Sequence, residues 1–522
     1  MANGRIDGAT VLARKTAKSA TFIISGKILS ALIQALMFIV IARLLAPQGY
    51  GIYTLILSVV AFISAFGSLS IGTYLNERVP FLMSKRRSGE IKVAFGDTIV
   101  AVLIPGIALF VIGSMLSVPI SGYVLHSTAY APLLVLALSS IIFSLLYNTF
   151  SLVLVSFNDG KGNAMGMVIY SAVQAAVAIV LVASGAGIAG AIIGYTSALF
   201  LSFLFEFMVA RRRFGITFVR KNMYSRIRSM LRFSMPLTYS GITSTVVTNF
   251  SVILLGLFVV PSLVGQYGVA SRVGTVMDVF AGSISVVLLP TFAEAIYNKG
   301  IGKKVGRFFY YSIFFGFLFT TPMIAYVVVY ANYLITTLFT PAYSQAVLYM
   351  QLISVGLLIG TFGSYAGQLI ISMRKTPKYF KYTLIAGIAE AVSLLVLVPK
   401  FHVIGLIISM LYVGGITTNV LLMNQIRKEG ISIRMGKIWR VMVSNVVLAA
   451  ILYAILRIFP LFNREAMIVA GIALTFVLYP PIVVKTGALT KDDISLLRKI
   501  AEGTSIAGTA LAHLLSYASF FA

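Results

Sequence analysis

The residues able to do chemistry in this sequence are few, and they sit where charge is expensive. Lys27 falls about two turns into an apolar run, with Ser30 and Gln34 at i+3 and i+7 on the same helical face. Arg272 and Asp278 share another run but are six residues apart, so they point to different faces and need separate partners. Glu390 stands alone in the middle of a third. Ionisable groups in hydrocarbon cost about 2.5–3.5 kcal/mol each, so each is a functional candidate by default. A buried cation there suits an anionic ligand, and Arg272 offers a fork of donors for one. A lone carboxylate there is paired, protonated or holding a cation, which makes Asp278 and Glu390 candidates for coupling Na+ or H+.

Other charges read more simply. Lys27 also has the reach to snorkel to the headgroups, and Arg43, at the far end of the same run, suits an interfacial anchor. Asp97, Glu206, Glu77 with Arg78, and Glu294 fall near helix ends, where ion pairs at headgroup level are expected. The chain has no cysteine, which removes thiolate chemistry, disulfides and zinc knuckles. An enzyme of the membrane transferase or ligase kind needs a carboxylate pair or a metal motif on a sizeable loop. The longest segment expected on the outer side, 117–130, holds no Asp or Glu. No enzyme activity and no resident cofactor are therefore expected.

The elements that must position these residues are membrane helices. The sequence is 59% hydrophobic and only 11% charged, with a mean hydropathy of +0.98, against roughly 45–50% and 25% in soluble domains. Runs of about 20 apolar residues can cross hydrocarbon only with their backbone groups paired internally, and runs this continuous are helices. Fourteen such runs occur, beginning with 21–44 and 52–74 and ending with 441–458 and 465–484. Setting the N-terminus inside places 35 of the 41 basic residues in inner segments and three, Lys400, Arg457 and Arg464, outside, as the positive-inside rule requires. The net charge of +27 is thus a topology device that meets anionic membrane lipids, and nucleic acid is not an expected partner. Residues 491–501 are amphipathic, which suggests a helix lying at the interface.

The halves repeat. Gln48-Gly49-Tyr50-Gly51 parallels Gly265-Gln266-Tyr267-Gly268 at an offset of 217, and Gly187-Ile188-Ala189-Gly190 parallels His402-Val403-Ile404-Gly405 at 215. A shared offset at equivalent places in the helix order argues for duplication. The expected fold is an all-α polytopic membrane protein of about fourteen transmembrane helices: two pseudo-symmetric six-helix lobes, 1–215 and 216–430, two further helices in 431–485, and a tail, 486–522. Gly241, Ser244, Thr245 and Thr248 form a polar stripe on the seventh helix that answers the Lys27, Ser30 and Gln34 stripe on the first. Two such stripes on equivalent helices point to a hydrated cavity, although small polar residues also serve close helix packing.

Ser25-Gly26-Lys27-Ile28, then Ala42-Arg43-Leu44-Leu45-Ala46-Pro47-Gln48-Gly49-Tyr50-Gly51, then Gly72, Thr73 and Asn76-Glu77-Arg78 together resemble the polysaccharide (Wzx-type) flippase family of the multidrug/oligosaccharidyl-lipid/polysaccharide superfamily. The departure is Ala46, where the family pattern has Gly. The resemblance implies a plasma-membrane transporter that moves an oligosaccharide on a polyprenyl phosphate or diphosphate to the outer leaflet by alternating access. Lys27, Ser30, Gln34, Arg43, Ser244, Thr248 and Arg272 would then contact the lipid-linked glycan, and a glycan polymerase or transferase is the kind of protein partner implied. The same superfamily contains lipid II flippases and cation-coupled drug exporters. A non-transporting partner of a polysaccharide enzyme is the alternative from another class.

Overall fold

A computed structural model describes residues 3–67, 69–299, 302–431, 436–458, 463–502 and 516–521. Every regular element among them is helical. In order they are α1 (Asn3–Gly67), α2 (Ile71–Ser84), α3 (Ser88–Met115), α4 (Ser117–Val124), α5 (Ala131–Leu138), α6 (Ser140–Ser156), α7 (Gly160–Leu181), α8 (Gly187–Phe214) and α9 (Met223–Phe258). There follow α10 (Pro261–Lys299), α11 (Lys303–Leu338), α12 (Ala346–Ser372), α13 (Thr376–Ile407), α14 (Gly415–Lys428), α15 (Gly436–Ile458), α16 (Arg464–Lys485) and α17 (Lys491–Glu502).

Nine helices among the described residues are long and apolar enough to cross a membrane. Three of them, Thr21–Gly67, Gly160–Arg213 and Thr376–Lys428, have the length of two crossings. Each is broken where the chain reverses: at Ala46 (φ 54°), at Gly185 and Gly187 (φ 95° and 54°) and at His402 (φ 53°). With each of these three counted as two crossings, the nine spans together with α9 and α10 correspond to the fourteen runs read from the sequence. Pro47 follows the first break, as expected of a residue that has no N–H to lose at the start of a helix.

The repeat is visible in backbone conformation. Gly187 adopts φ 54°, ψ −135°, and His402, 215 residues later, adopts φ 53°, ψ −125°. Three residues beyond each, a glycine lets the new helix close on the old one. A Cβ on Gly190 would stand 3.0 Å from the Val182 nitrogen, and one on Gly405 would stand 3.0 Å from that of Val398. Each turn is joined to a π-helical stretch, Val182–Ala186 before the first and Ile408–Gly414 after the second.

The chain forms two compact units that divide at Gly268 and Val269, inside α10, so α9 belongs with the first. The first unit has an aromatic core near its basic helix ends, where Phe95, Phe150 and Phe157 pack with Leu75, Val79 and Val153. The second has a larger one that includes Phe292, Phe309, Phe314, Tyr365, Ile426 and Val441. This core also takes Ile494 and Leu497 from α17. The amphipathic helix thus buries Ile494 and Leu497 within the second unit, and Asp493 is bonded to Lys437 at 2.6 Å.

Candidate functional site

Within the first unit, α1 carries Lys27, exposed, on an apolar span. Its stripe partners turn another way. Ser30 is buried and ties α1 to α7 by donating to the Met167 carbonyl at 3.1 Å, while Gln34 donates to the Ser30 hydroxyl within α1 at 3.5 Å. Arg43 is exposed at the far end, three residues before the break at Ala46. On α9, Thr248 and Thr245 are exposed, while the Ser244 side chain lies outside the described residues.

In the second unit Arg272 is exposed on α10, and the Asp278 side chain lies outside the described residues. Glu390 is half-buried on α13, with Oε2 2.7 Å from where a Cβ on Gly414 would stand. Gly414 closes the π-helical stretch, and such irregular turns recur at functional sites. The carboxylate thus lies against a helix whose hydrogen-bond ladder is shifted, and only a glycine leaves it room.

The carboxylates near the basic ends divide into two kinds. Asp97 is 1% exposed and takes a two-pronged bond from Arg226, at 2.5 and 2.9 Å. That hydrogen bond raises the Arg226 guanidinium above its ordinary value. Asp159 pairs with Arg213 at 2.8 Å, and Lys375 pairs with Glu429. Arg78 and Arg226 also line a cavity of about 420 Å³ beside Tyr74 and Glu90, and Arg78 stacks over the Phe81 ring.

Glu206 departs from the expectation of an ion pair. It is fully buried on α8, and neither carboxylate oxygen has a hydrogen-bond partner. The helix–helix approach explains its seclusion: Gly166 of α7 faces it, and a Cβ there would overlap the carboxylate. Its distance along the helix from the Arg211–Arg213 cluster is more than a turn, so those guanidinium groups lie beyond direct contact.

The first unit contains a second cavity, of about 340 Å³, at a helix interruption. α1 ends at Gly67 and α2 begins at Ile71, with Ser70 between them at φ 46°, ψ 24° and its side chain making no capping bond. Around this break are Ser64, Ser70, Ser144, Asn148, Thr149, Tyr195 and Thr245, and among the described residues the lining holds no charged one. Ser64 meets Ser144 at 3.4 Å, and Thr149 spends its proton on the Leu145 carbonyl at 2.8 Å. The seventh-helix stripe thus delivers Thr245 to a polar cavity. Sequence reasoning missed the other lining groups. Two signals were present: Gly67-Ser68-Leu69-Ser70, a turn-forming cluster inside an apolar run, and Asn148, an isolated amide in another.

Comparison with known proteins follows the same lines. The sequence model of the family described as "Polysaccharide biosynthesis protein" matches residues 16–296. An uncharacterized membrane protein, MJ1068, of Methanocaldococcus jannaschii is 24% identical over 221 residues, 41% of this chain and 43% of that one. The aligned region thus spans less than half of that relative. The lipid II flippase MurJ in an inward closed conformation superposes with a TM-score of 0.67 at 16% identity, covering 88% of this chain and 97% of that one. An inward-facing multidrug transporter of the MATE family, MOP superfamily, gives 0.60 at 14% identity over 77% and 95%. At these identities the likeness is one of fold.

Proposed function

The chain belongs to the polysaccharide biosynthesis protein family, and on that footing we propose that it is a flippase carrying a lipid-linked oligosaccharide from the inner to the outer leaflet. That it is a multi-pass membrane protein with a transporter fold is given by its apolar helices and structural relatives. The observation that carries the substrate reading is Lys27, exposed on an apolar span of α1. A cation so placed serves a phosphate-bearing headgroup. It counts against an exporter of organic cations, which would want carboxylates and aromatics in that position.

In this reading Lys27, with Arg43 at the other end of α1, engages the phosphate while the lipid tail stays in the bilayer, and Arg272 is the candidate cation of the second unit. With the N-terminus in the cytoplasm, an inside-negative potential favours outward passage of negative charge by about 2.3 kcal/mol per charge per 100 mV. Glu390, set against the π-helical turn, is the described candidate for a coupling Na+ or H+, and Asp278 is the other. A glycan polymerase or transferase would receive the product.

Complementation of a glycan-export defect tests the reading. Lys27→Ala should reach the membrane at wild-type level and fail to export, and full export by that variant removes the proposal. Mass spectrometry of lipid co-purified with the wild-type protein then separates a sugar-bearing polyprenyl diphosphate from a peptide-bearing precursor.

A further inference from the structure

The cavity at the α1–α2 interruption has a chemistry of its own. Seven side chains supply its polarity, Ser64, Ser70, Ser144, Asn148, Thr149, Tyr195 and Thr245, and none of them ionises in the physiological range. Its volume of about 340 Å³ lies at the small end of ligand pockets, which run about 300–1,000 Å³. That is room for a sugar ring, not for a whole oligosaccharide.

Its position along the helices is central. Val102 lies near the middle of α3, Ser144 and Asn148 on α6, and Thr245 thirteen residues before the end of α9, which at 1.5 Å per residue is about 20 Å. The Thr149 hydroxyl bonds the Leu145 carbonyl and the Ser64 and Ser144 hydroxyls meet each other, so it is the exposed Asn148 carboxamide that faces either water or a polar ligand at this depth, where hydrocarbon offers it nothing. Transporter sites recur at this depth, where a helix is discontinuous.

The interruption adds backbone groups. The first N–H groups of any helix have no partner within it. Here those of Ile71 and Gly72 belong to residues of the lining, and Ser70 makes no side-chain cap. Asn148 is exposed toward the space and carries both a donor and an acceptor, the combination that matches neighbouring hydroxyls on a sugar. Tyr195 brings an aromatic ring to the lining, a group that packs on the apolar side of a pyranose ring. An anion would also be drawn to a helix N-terminus, but an anion held at this depth needs a cation beside it, and among the described residues the lining contains none.

We propose that this cavity is the subsite for an uncharged sugar unit of the transported glycan, distinct from the cations that engage the phosphate. This rests on the flippase reading above. The two bind different parts of one substrate, so they can be separated experimentally.

The test uses the full-length protein in liposomes and two fluorescent probes: a polyprenyl diphosphate bearing a neutral glycan, and the same lipid diphosphate without sugar. Asn148→Leu should slow flipping of the glycan-bearing probe by about tenfold while changing the sugar-free probe by less than about twofold. Thr149→Val, which keeps volume, should act in the same direction, and Asn148→Gln should recover part of the loss. Equal loss on both probes, or no loss on either, overturns the subsite and leaves the flippase reading standing. A wild-type protein that moves neither probe overturns both. Should Asn148→Leu fail to fold, Thr149→Val carries the comparison alone.

Discussion

The backbones of Gly51 and Gly265 meet reciprocally. A Cβ on Gly51 would stand 2.9 Å from the Gly265 nitrogen, and one on Gly265 would stand 3.1 Å from the Gly51 nitrogen. Each imagined Cβ also overlaps a proline carbonyl, of Pro261 and of Pro47 respectively. Both segments begin a helix with proline and place glycine four residues on, at positions 47 and 51 and again at 261 and 265. The contact therefore pairs the glycines of two Pro-x-x-x-Gly helix starts at an offset of 214, close to the 215 and 217 of the motif pairs.

A methyl group has nowhere to go at this crossing, because the obstructing atoms are backbone. Gly51→Ala and Gly265→Ala should each cost about 1–3 kcal/mol, as overpacking does, read as a lowered Tm in detergent. Gly49→Ala is the control, since its nearest neighbour is a Leu45 side-chain atom at 3.3 Å and no backbone atom stands in the way. A cysteine at Thr54, whose hydroxyl lies against Gly268, should label faster in the Gly51→Ala background. The chain's lack of native cysteine keeps that readout clean. Unchanged Tm and labelling in both alanine variants would show that the crossing gives way at no cost.

His402 occupies a backbone region that is open almost only to glycine, at φ 53° and ψ −125°. Its repeat counterpart is a glycine in the same conformation. His402→Gly should therefore raise stability by about 1 kcal/mol through relief of strain, offset in part by the freedom glycine gains in the unfolded chain. Gly187→Ala should lower it by about 1–3 kcal/mol. Thermal unfolding of the two variants beside wild type decides the matter. A destabilised His402→Gly would mean the imidazole makes contacts worth more than the strain.

Much of the fold was readable because hydrophobic length is a coarse, strong signal: apolar runs gave the spans, and basic residues gave their ends. The helix interruption at Ser70 was harder, since the run from 52 to 74 is apolar on both sides and hydropathy does not sense a single left-handed residue. Ser30 was assigned to the candidate site by its spacing from Lys27, yet the helix face it shares with Gln34 packs on α7. Periodicity says which residues share a face and not what that face meets. Glu206 was placed near a helix end by position, and only the structure shows that it is enclosed against Gly166 with no hydrogen-bond partner among the described residues.

An unpaired carboxylate in an apolar interior is costly as an ion, whereas an amide of the same shape carries no charge to desolvate. Glu206→Gln should consequently unfold at a temperature no lower than wild type, and Glu206→Lys should fail to accumulate. If Glu206→Gln unfolds several degrees earlier, the carboxylate is making bonds that an amide cannot replace.

Glu429 gives a pH-dependent contribution with a definite sign. Hydrogen bonding to Lys375 is the main cause that holds its carboxyl below the ordinary value of 4.5, with Gln425 adding a second bond. A carboxyl lowered in the folded state contributes stability that is fully present above the unfolded value and is lost as pH falls through the folded one. The pair should therefore help at pH 7 and fade below about pH 4.5. Because Glu429 sits close to solvent, salt should weaken the effect. Lys375→Ala should lower Tm at pH 7 and converge on wild type as the pH approaches 3, and a difference that is constant across that range would assign Lys375 a role other than this ion pair.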